Sequence, residues 1–344
     1  MTENILLIGG SLNQTTMMHK IARQLDGYNC FFTPFYADGL ENFAACMGWL
    51  TFSVLGGRHL AATQDYLFRN NLPLDVRGQK NKYDLVVICS DLIVPKNIRG
   101  NRIVLIQDGI TEPETWLYKM VKRYKLPRYL GNTASLGLSD AYDLFCVGSE
   151  GYRRLFIGKG VRPEKIAVTG MPNFDDLASC CDNDFPLHDY VLVATSPLRE
   201  SFRHDDRDAF LRRCVEIAAG RPLIFKLHPT ENARRAKREI RRFAPDALVY
   251  SSGSVEHMIA NASVVITQQS TCTFVAVALG KELYTNLDVD GLKRLMPIQN
   301  GGVSAQRIAG LCRHLLHTPM PVLQDVRKGY RARPRWEQAN FPEW

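Results

Sequence analysis

What this sequence lacks narrows it first. No apolar run reaches the roughly 18 residues of a spanning helix, so no transmembrane segment is expected. Its nine cysteines are odd in number and contain no CxxC pair, and most sit in apolar runs such as VVICS and LFCVGS. Adjacent Cys180 and Cys181 are a poor disulfide arrangement, so buried, reduced thiols in a cytoplasmic protein are expected. No GxSxG elbow supports a serine hydrolase. Gly9-Gly10-Ser11 is not GxGxxG, which leaves a dinucleotide site without support. Asp205-Asp206 and the Asp288/Asp290 pair have no His or Cys at ligand spacing, so no metal is expected. The opening MTENILLIGGS has no basic n-region and reads as a first strand rather than a signal peptide. Repeats and low-complexity tracts do not stand out.

The remaining composition is that of a globular chain, with 45 % apolar and 23 % charged residues. A length of 344 residues favours two domains over one. The formal charge of +8 suits an anionic partner without choosing among nucleotide, phosphosugar, nucleic acid and acidic membrane.

Short apolar runs alternate with helical patterns along most of the chain, which predicts an α/β fold with parallel sheets. Strands are expected at 4–8, 30–33, 85–89, 103–106, 144–147 and 166–169, with helices at 14–25, 112–124 and 150–157. A polar stretch at 177–189 reads as a linker. The second half restarts with strands at 191–194, 223–226, 247–250, 264–267 and 282–285. Helices intervene at 206–219, 232–243, 255–260 and 271–279, and one at 304–316 closes the set. The expected division is a domain over 1–178, a second over 190–320, and a basic, aromatic tail over 321–344 that could pack back on the first domain.

In such sheets ligands bind beyond the carboxyl ends of the strands. The turns there in the second half are Thr195-Ser196-Pro197-Leu198-Arg199, His228-Pro229-Thr230-Glu231, Ser251-Ser252-Gly253-Ser254 and Gln268-Gln269-Ser270-Thr271. Each is rich in hydroxyls or carries a cation, and their convergence points to phosphate. Ser270 and Thr271 have two readings, phosphate donors or plain N-caps. Pro229 fits the first position of a helix. His228 can donate a hydrogen bond to an anionic oxygen. Lys226 shares its strand face and points either to the same pocket or out to solvent. In the first half Asp108 follows the apolar run RIVLI and precedes Gly109, which permits close approach. It suits either a general base or an Asp-Gly turn. Gly10 and Ser11 are secondary candidates, and His19, inside a predicted helix, reads as structural or surface.

The run IAVTGMPNFDDL resembles the hinge-proximal segment of GT-B-fold glycosyltransferases, and VVITQQSTCTFVAVALGKELY resembles their donor-side segment. Within that superfamily the pattern is similar to bacterial sialyltransferases and Kdo transferases. These carry an acidic-acidic-Gly motif, then His-Pro, then Ser/Thr; the counterparts are Gln107-Asp108-Gly109, His228-Pro229 and Ser270-Thr271. Gln107 stands where an acid is usual. The resemblance implies two Rossmann-like doubly wound domains facing a cleft, with Asp108 as base and His228, Ser270 and Thr271 on the donor phosphate. Ser196 and Arg199 join them as donor-side candidates, and Glu231 as a secondary cleft residue. It further implies a metal-independent, inverting glycosyltransferase of capsule or lipopolysaccharide synthesis. Its substrates are a nucleotide-sugar donor and a glycan or lipid-linked acceptor; no cofactor is needed. Polymer glycerophosphotransferases and UDP-N-acetylglucosamine 2-epimerases share the TG-x-P segment, and an epimerase or a glycerol/ribitol-phosphate transferase is the alternative.

Two basic stretches remain. ARRAKREIRR carries Ala233, Ala236, Ile240 and Phe243 at helical spacing, so its bases form a solvated outer face rather than a nucleic-acid site. Docking on an anionic membrane is a further use for it, and for KMVKRYKLPR at 119–128. That would make the protein cytoplasmic and peripheral at the inner membrane face. A non-catalytic module for anionic surfaces is the third reading.

Overall fold

In a computed structural model, which describes residues 2–50, 53–200, 204–268, 270–298 and 301–328, the chain forms two α/β units. The first comprises 1–175 and 300–344, the second 176–299.

The first unit runs β1 (Asn4–Gly9), α1 (Leu12–Ala22), β2 (Asn29–Pro34), α2 (Gly39–Cys46), α3 (Gly57–Arg69), β3 (Leu85–Ile88), β4 (Arg102–Ile106), α4 (Trp116–Tyr124), β5 (Leu144–Val147), α5 (Glu150–Lys159) and β6 (Ile166–Val168). Its six parallel strands lie in the order β2-β1-β3-β4-β5-β6. Strands such as LVVI are buried on both faces, which is why they read as unbroken apolar runs instead of alternating ones. The helix expected from 112 starts only at Trp116, because Thr115 caps it by accepting the Tyr118 N–H at 3.3 Å.

The second unit runs β7 (Val191–Ala194), α6 (Arg207–Ala218), β8 (Leu223–Lys226), α7 (Ala233–Phe243), β9 (Leu248–Tyr250), α8 (Val255–Asn261), β10 (Val264–Thr267), α9 (Cys272–Ala278), β11 (Glu282–Thr285) and α10 (Val289–Leu295). Its parallel order is β11-β10-β7-β8-β9. Val191, Val193, Phe225, Val264 and Ile266 pack against Leu211, Cys214, Ala236 and Ile240 of α6 and α7. The alternate residues, Lys226 included, face the other side, where α8 and α9 lie.

Two expectations about division change. The polar stretch at 177–189 is no free linker: it belongs to the second unit. Asn183 and Asn261 exchange side-chain amide bonds at 3.0 and 3.1 Å, and the Asp189 N–H reaches the Asn261 carbonyl at 3.0 Å. The helix expected to close the second domain, α11 (Ser304–His317), belongs instead to the first. Its Ile308, Ala309, Cys312 and Leu315 join Ile5, Leu7, Met17, Ile21 and Val104 in one core. Asp175 accepts the Ser304 N–H at 3.0 Å, fixing its first turn. A helical period shows that a helix has an apolar face but not which sheet that face covers. α12 (Met320–Arg327) follows, with Leu323 in the same core and Arg327 bidentate on buried Asp143 at 2.7 and 2.8 Å. The rest of the expected tail, 329–344, lies outside the described residues.

Leu315→Ala should therefore destabilise the first unit by about 2–5 kcal/mol. Urea denaturation would measure it, and a neutral result would remove α11 from this core.

Candidate functional site

A doubly wound parallel sheet opens a crevice at the carboxyl ends of the two strands between which its winding reverses. In the first unit that point lies between β1 and β3, in the second between β7 and β10.

In the second unit the row Thr267, Ala194, Lys226, Tyr250 ends four paired strands side by side. Beyond β8 the chain turns at His228-Pro229-Thr230-Glu231, closed by the Glu231 N–H on the His228 carbonyl at 3.0 Å. Pro229 thus takes the second position of a turn and does not open a helix; α7 begins four residues later, capped by Asn232, whose side chain accepts the Arg235 N–H at 3.1 Å. The turn also defines the imidazole. Nδ1 of His228 accepts the Thr230 N–H at 3.2 Å and faces the Thr230 hydroxyl at 2.8 Å. A backbone N–H can only donate, so Nδ1 is unprotonated and the neutral ring carries its proton on Nε2. Nε2 is then the nitrogen that bears the ring's N–H.

What holds this turn lies beneath it. The His228 N–H donates to the Thr195 hydroxyl at 3.1 Å, and that hydroxyl donates to the Glu231 carboxylate. Glu231 is ion-paired with Arg207 at 2.8 Å, the two side chains being only 2 % and 4 % exposed. Burial pushes the Glu231 carboxyl above its ordinary range, while Arg207 and the Thr195 hydroxyl pull it back. Glu231, expected in the cleft, is thus a buried support.

Arg199 is also corrected. Its Nη1 and Nη2 grip Glu239 at 2.9 and 2.7 Å and its Nε faces Asp205 at 3.3 Å. A guanidinium already matched by two carboxylates is not a ready phosphate ligand. Lys226 does not reach out to solvent; it is buried, bonds the Leu227 carbonyl at 3.2 Å, and burial lowers its pKa. Ser196 is buried too. At the β10 end, the Ser270 hydroxyl accepts the Cys272 N–H at 3.2 Å in a local turn just before α9; Thr271, at the cap position, is exposed and makes no side-chain cap bond. Gln269 lies outside the described residues. A cavity of about 650 Å³ opens farther along this edge, between the Ser252–Ser254 turn and Phe185, Pro186 and His257.

In the first unit Asp108 is partly buried at the end of β4. One carboxylate oxygen accepts the Gln14 side-chain N–H at 2.6 Å, and the Asp108 carbonyl accepts Asn13 Nδ2 at 3.0 Å. Burial raises its pKa, and the Gln14 hydrogen bond opposes that rise. Gln14 is in turn locked by its other end: Oε1 accepts the Gly10 N–H at 2.7 Å and the Ser11 N–H at 3.3 Å. Ser11 completes a capping box with it, so Ser11 is a cap and not a ligand. Gly10 is needed for close approach, since a Cβ there would meet Gln14 Oε1 at 2.8 Å and Val54 Cβ at 2.9 Å. Asn173, just after the TG-x-P run, donates to the Asn13 carbonyl at 2.9 Å and its side-chain oxygen at 2.6 Å, tying that run to the same loop.

Gln107 is fully buried and bridges two strand ends. Its Nε2 donates to the Gly109 carbonyl at 2.9 Å, and its Oε1 accepts the Gly148 N–H at 3.0 Å. A carboxylate could accept from Gly148 but could not donate to Gly109, so the amide is a structural clamp. Gly109, likewise buried, supplies that clamp's acceptor. His19 bonds Tyr66 at 2.9 Å on the flank of α1. Gln14 and Arg207 are supports that sequence reasoning did not single out, and Thr195 entered it only as part of a strand-end turn; Gln14 left a signal of its own, the Ser-x-x-Gln capping pattern. Of the two carboxylate pairs, Asp205 holds Arg199 and Gln268 and Asp206 caps α6, while exposed Asp288 and Asp290 face Arg294 and Lys293 at 3.8 and 3.7 Å. Among the described residues no three His, Cys, Asp or Glu side chains gather at a metal-binding distance.

Replacing Arg207 with Met strands a buried carboxylate, and should cost about 3–5 kcal/mol, largely recovered by adding Glu231→Leu. Chemical denaturation of both variants would test this. A neutral single substitution would mean that the pair does not support the His228 turn.

No protein-family model matches the chain, and no curated protein matches it. Solved structures resemble it in fold. One is the UDP-GlcNAc 2-epimerase from Neisseria meningitidis bound to UDP-GlcNAc, with a TM-score of 0.56 and 10 % identity over 90 % of this chain and 100 % of that one. Another is S. aureus MnaA with UDP, with a TM-score of 0.55 and 11 % identity over 92 % of this chain and 90 % of that one. A third is the wall teichoic acid polymerase TagF with CDPG, with a TM-score of 0.52 and 9 % identity over 92 % of this chain and 89 % of that one. The likeness is one of fold: an α/β protein of two Rossmann-like doubly wound units, GT-B-like in architecture.

Proposed function

We propose that this chain is a GT-B-type transferase that moves a glycosyl unit from a nucleotide-activated donor to a hydroxyl of a glycan or lipid-linked acceptor. The observation that carries it is the His228 turn, whose imidazole is held with its proton on Nε2 at the carboxyl edge of a parallel sheet. Exposed Thr271 stands on the same edge, past the switch point. Both side chains are of a kind that donates to a phosphate oxygen. Similarity of fold to structures that contain UDP, UDP-GlcNAc or CDPG supports a nucleotide-linked substrate.

Asp108 would take the proton of the acceptor hydroxyl. The acceptor oxygen would attack the anomeric carbon as the bond to the nucleotide's phosphate oxygen breaks, inverting that centre. His228 would donate from Nε2 to the departing phosphate oxygen. The reading invokes no cofactor, the nucleotide-sugar being substrate. A sialyltransferase- or Kdo transferase-like role in surface polysaccharide synthesis is the finer form of the proposal, carried by the order of Asp108-Gly109, His228-Pro229 and Ser270-Thr271.

Epimerisation of a UDP-sugar is the second reading, favoured by the shared fold with the 2-epimerases. UDP-GlcNAc incubated alone and followed by NMR separates the two, because an epimerised sugar without acceptor would overturn transfer.

Thermal shifts with CMP, CDP, UDP and GDP should single out one nucleotide. His228→Ala should weaken that nucleotide about tenfold to a hundredfold, the loss of one charge-assisted hydrogen bond. Asp108→Asn should keep the shift and lose turnover. An unaltered affinity in the His228 variant would sink the phosphate assignment.

The pH dependence follows from the raised Asp108 pKa. A base must be ionised, so activity should fall as pH drops through that raised value, above the ordinary carboxylate range. Gln14→Ala removes the hydrogen bond that lowers it, and should move the acid limb of kcat/KM to still higher pH. An unmoved limb would show that Asp108 is not the titrating base.

A further inference from the structure

We infer that the first unit docks on an anionic lipid bilayer through α4 and the segment that follows it. The inference rests on surface chemistry alone and is independent of the nucleotide reading.

α4 buries Tyr118 and Val121 against its own unit. It nevertheless carries a second apolar stripe: Trp116, Met120 and Tyr124, four residues apart, are 72 %, 40 % and 60 % exposed. Leu126, Tyr129 and Leu130 extend the exposed apolar surface past the helix. Lys119, Lys122, Arg123 and Lys125 are exposed among them, and from Trp116 to Leu130 there is no acidic residue. The Arg123 guanidinium lies 5.9 Å from the Tyr124 ring. Lys125 to Tyr129 also line a hollow of about 390 Å³ whose other wall includes Gly39 and Glu41 of α2. α2 and the turn after it expose Leu40, Phe43, Met47 and Trp49.

The occupant follows from the combination. Aromatic rings with a polar edge settle at the boundary between headgroup and acyl chain. Lysines and arginines beside them are drawn to anionic headgroups within a Debye length. A nucleic acid would account for the bases but not for the Trp116-Met120-Tyr124 stripe. A protein partner would account for the stripe but not for its unbroken positive charge. α7 shows the contrast. It is more basic still, but its Ala236 and Ile240 are buried, and Arg235 and Arg242 face Glu200 and Asp208. None of its residues is a large exposed apolar one. Among the described residues no helix is long and apolar enough to cross a membrane, so the attachment is peripheral.

Cosedimentation of the full chain with phosphatidylglycerol/phosphatidylethanolamine vesicles, and with phosphatidylcholine vesicles, tests this. Binding is expected on the anionic vesicles only, weakened by salt at about 0.5 M. The triple variant Trp116→Ser/Met120→Ser/Tyr124→Ser, and separately Lys119→Glu/Arg123→Glu/Lys125→Glu, should each weaken it about tenfold or more with Tm unchanged, as all six side chains are exposed. Should the serine variant fold poorly, the charge-reversal variant decides. Arg234→Glu/Arg238→Glu/Arg241→Glu on α7 should bind as the parent does. Four results would overturn the inference. They are no vesicle binding, equal binding to neutral vesicles, loss in the α7 variant instead, or a dimer in solution that the serine variant dissolves.

Discussion

The second unit turns on one buried ion pair. Glu231 and Arg207 lie almost wholly out of water, and a charge there is tolerable only with its partner. Glu231 also accepts the Thr195 hydroxyl's hydrogen bond, which turns that hydroxyl's lone pair toward the His228 N–H. The pair therefore does more than close its own charges. It ties the ends of β7 and β8 together and sets the turn that presents the imidazole.

The first unit reaches a similar end with neutral groups. Gln14 is anchored on the Gly10 and Ser11 N–H groups through its oxygen, and offers its amide N–H to Asp108. A neutral donor leaves the carboxylate basic, because burial raises its pKa more than the amide lowers it. An arginine in place of Gln14 would have pulled the carboxyl the other way. The same preference for amides appears one residue earlier, where Gln107 gives and accepts between two strand ends.

Much of this was legible in the sequence. Unbroken apolar runs marked the buried strands, and the turns at their ends held His228, Asp108, Ser270 and Thr271. The misreadings share one cause. Arg199 looked free because Glu239 lies forty residues away, and Glu231 looked exposed because Arg207 precedes it by twenty-four. Ser304–His317 looked like the last helix of the second half because nothing local states which sheet its apolar face covers. Trp116 and Tyr124 fell inside the helix expected at 112–124, but sequence does not say that Tyr118 and Val121 are the residues that seat it.

By itself, then, the sequence determined the period of each element, the positions of the strand ends and the residue types gathered there. These depend on neighbours within a turn or two, and on the need to bury apolar side chains. Only the tertiary structure decided which of those residues meet solvent and which are consumed as supports. A charge or a hydroxyl is a ligand or a strut according to what lies within 3 Å of it, and at these edges the decisive partners come from distant segments of the chain.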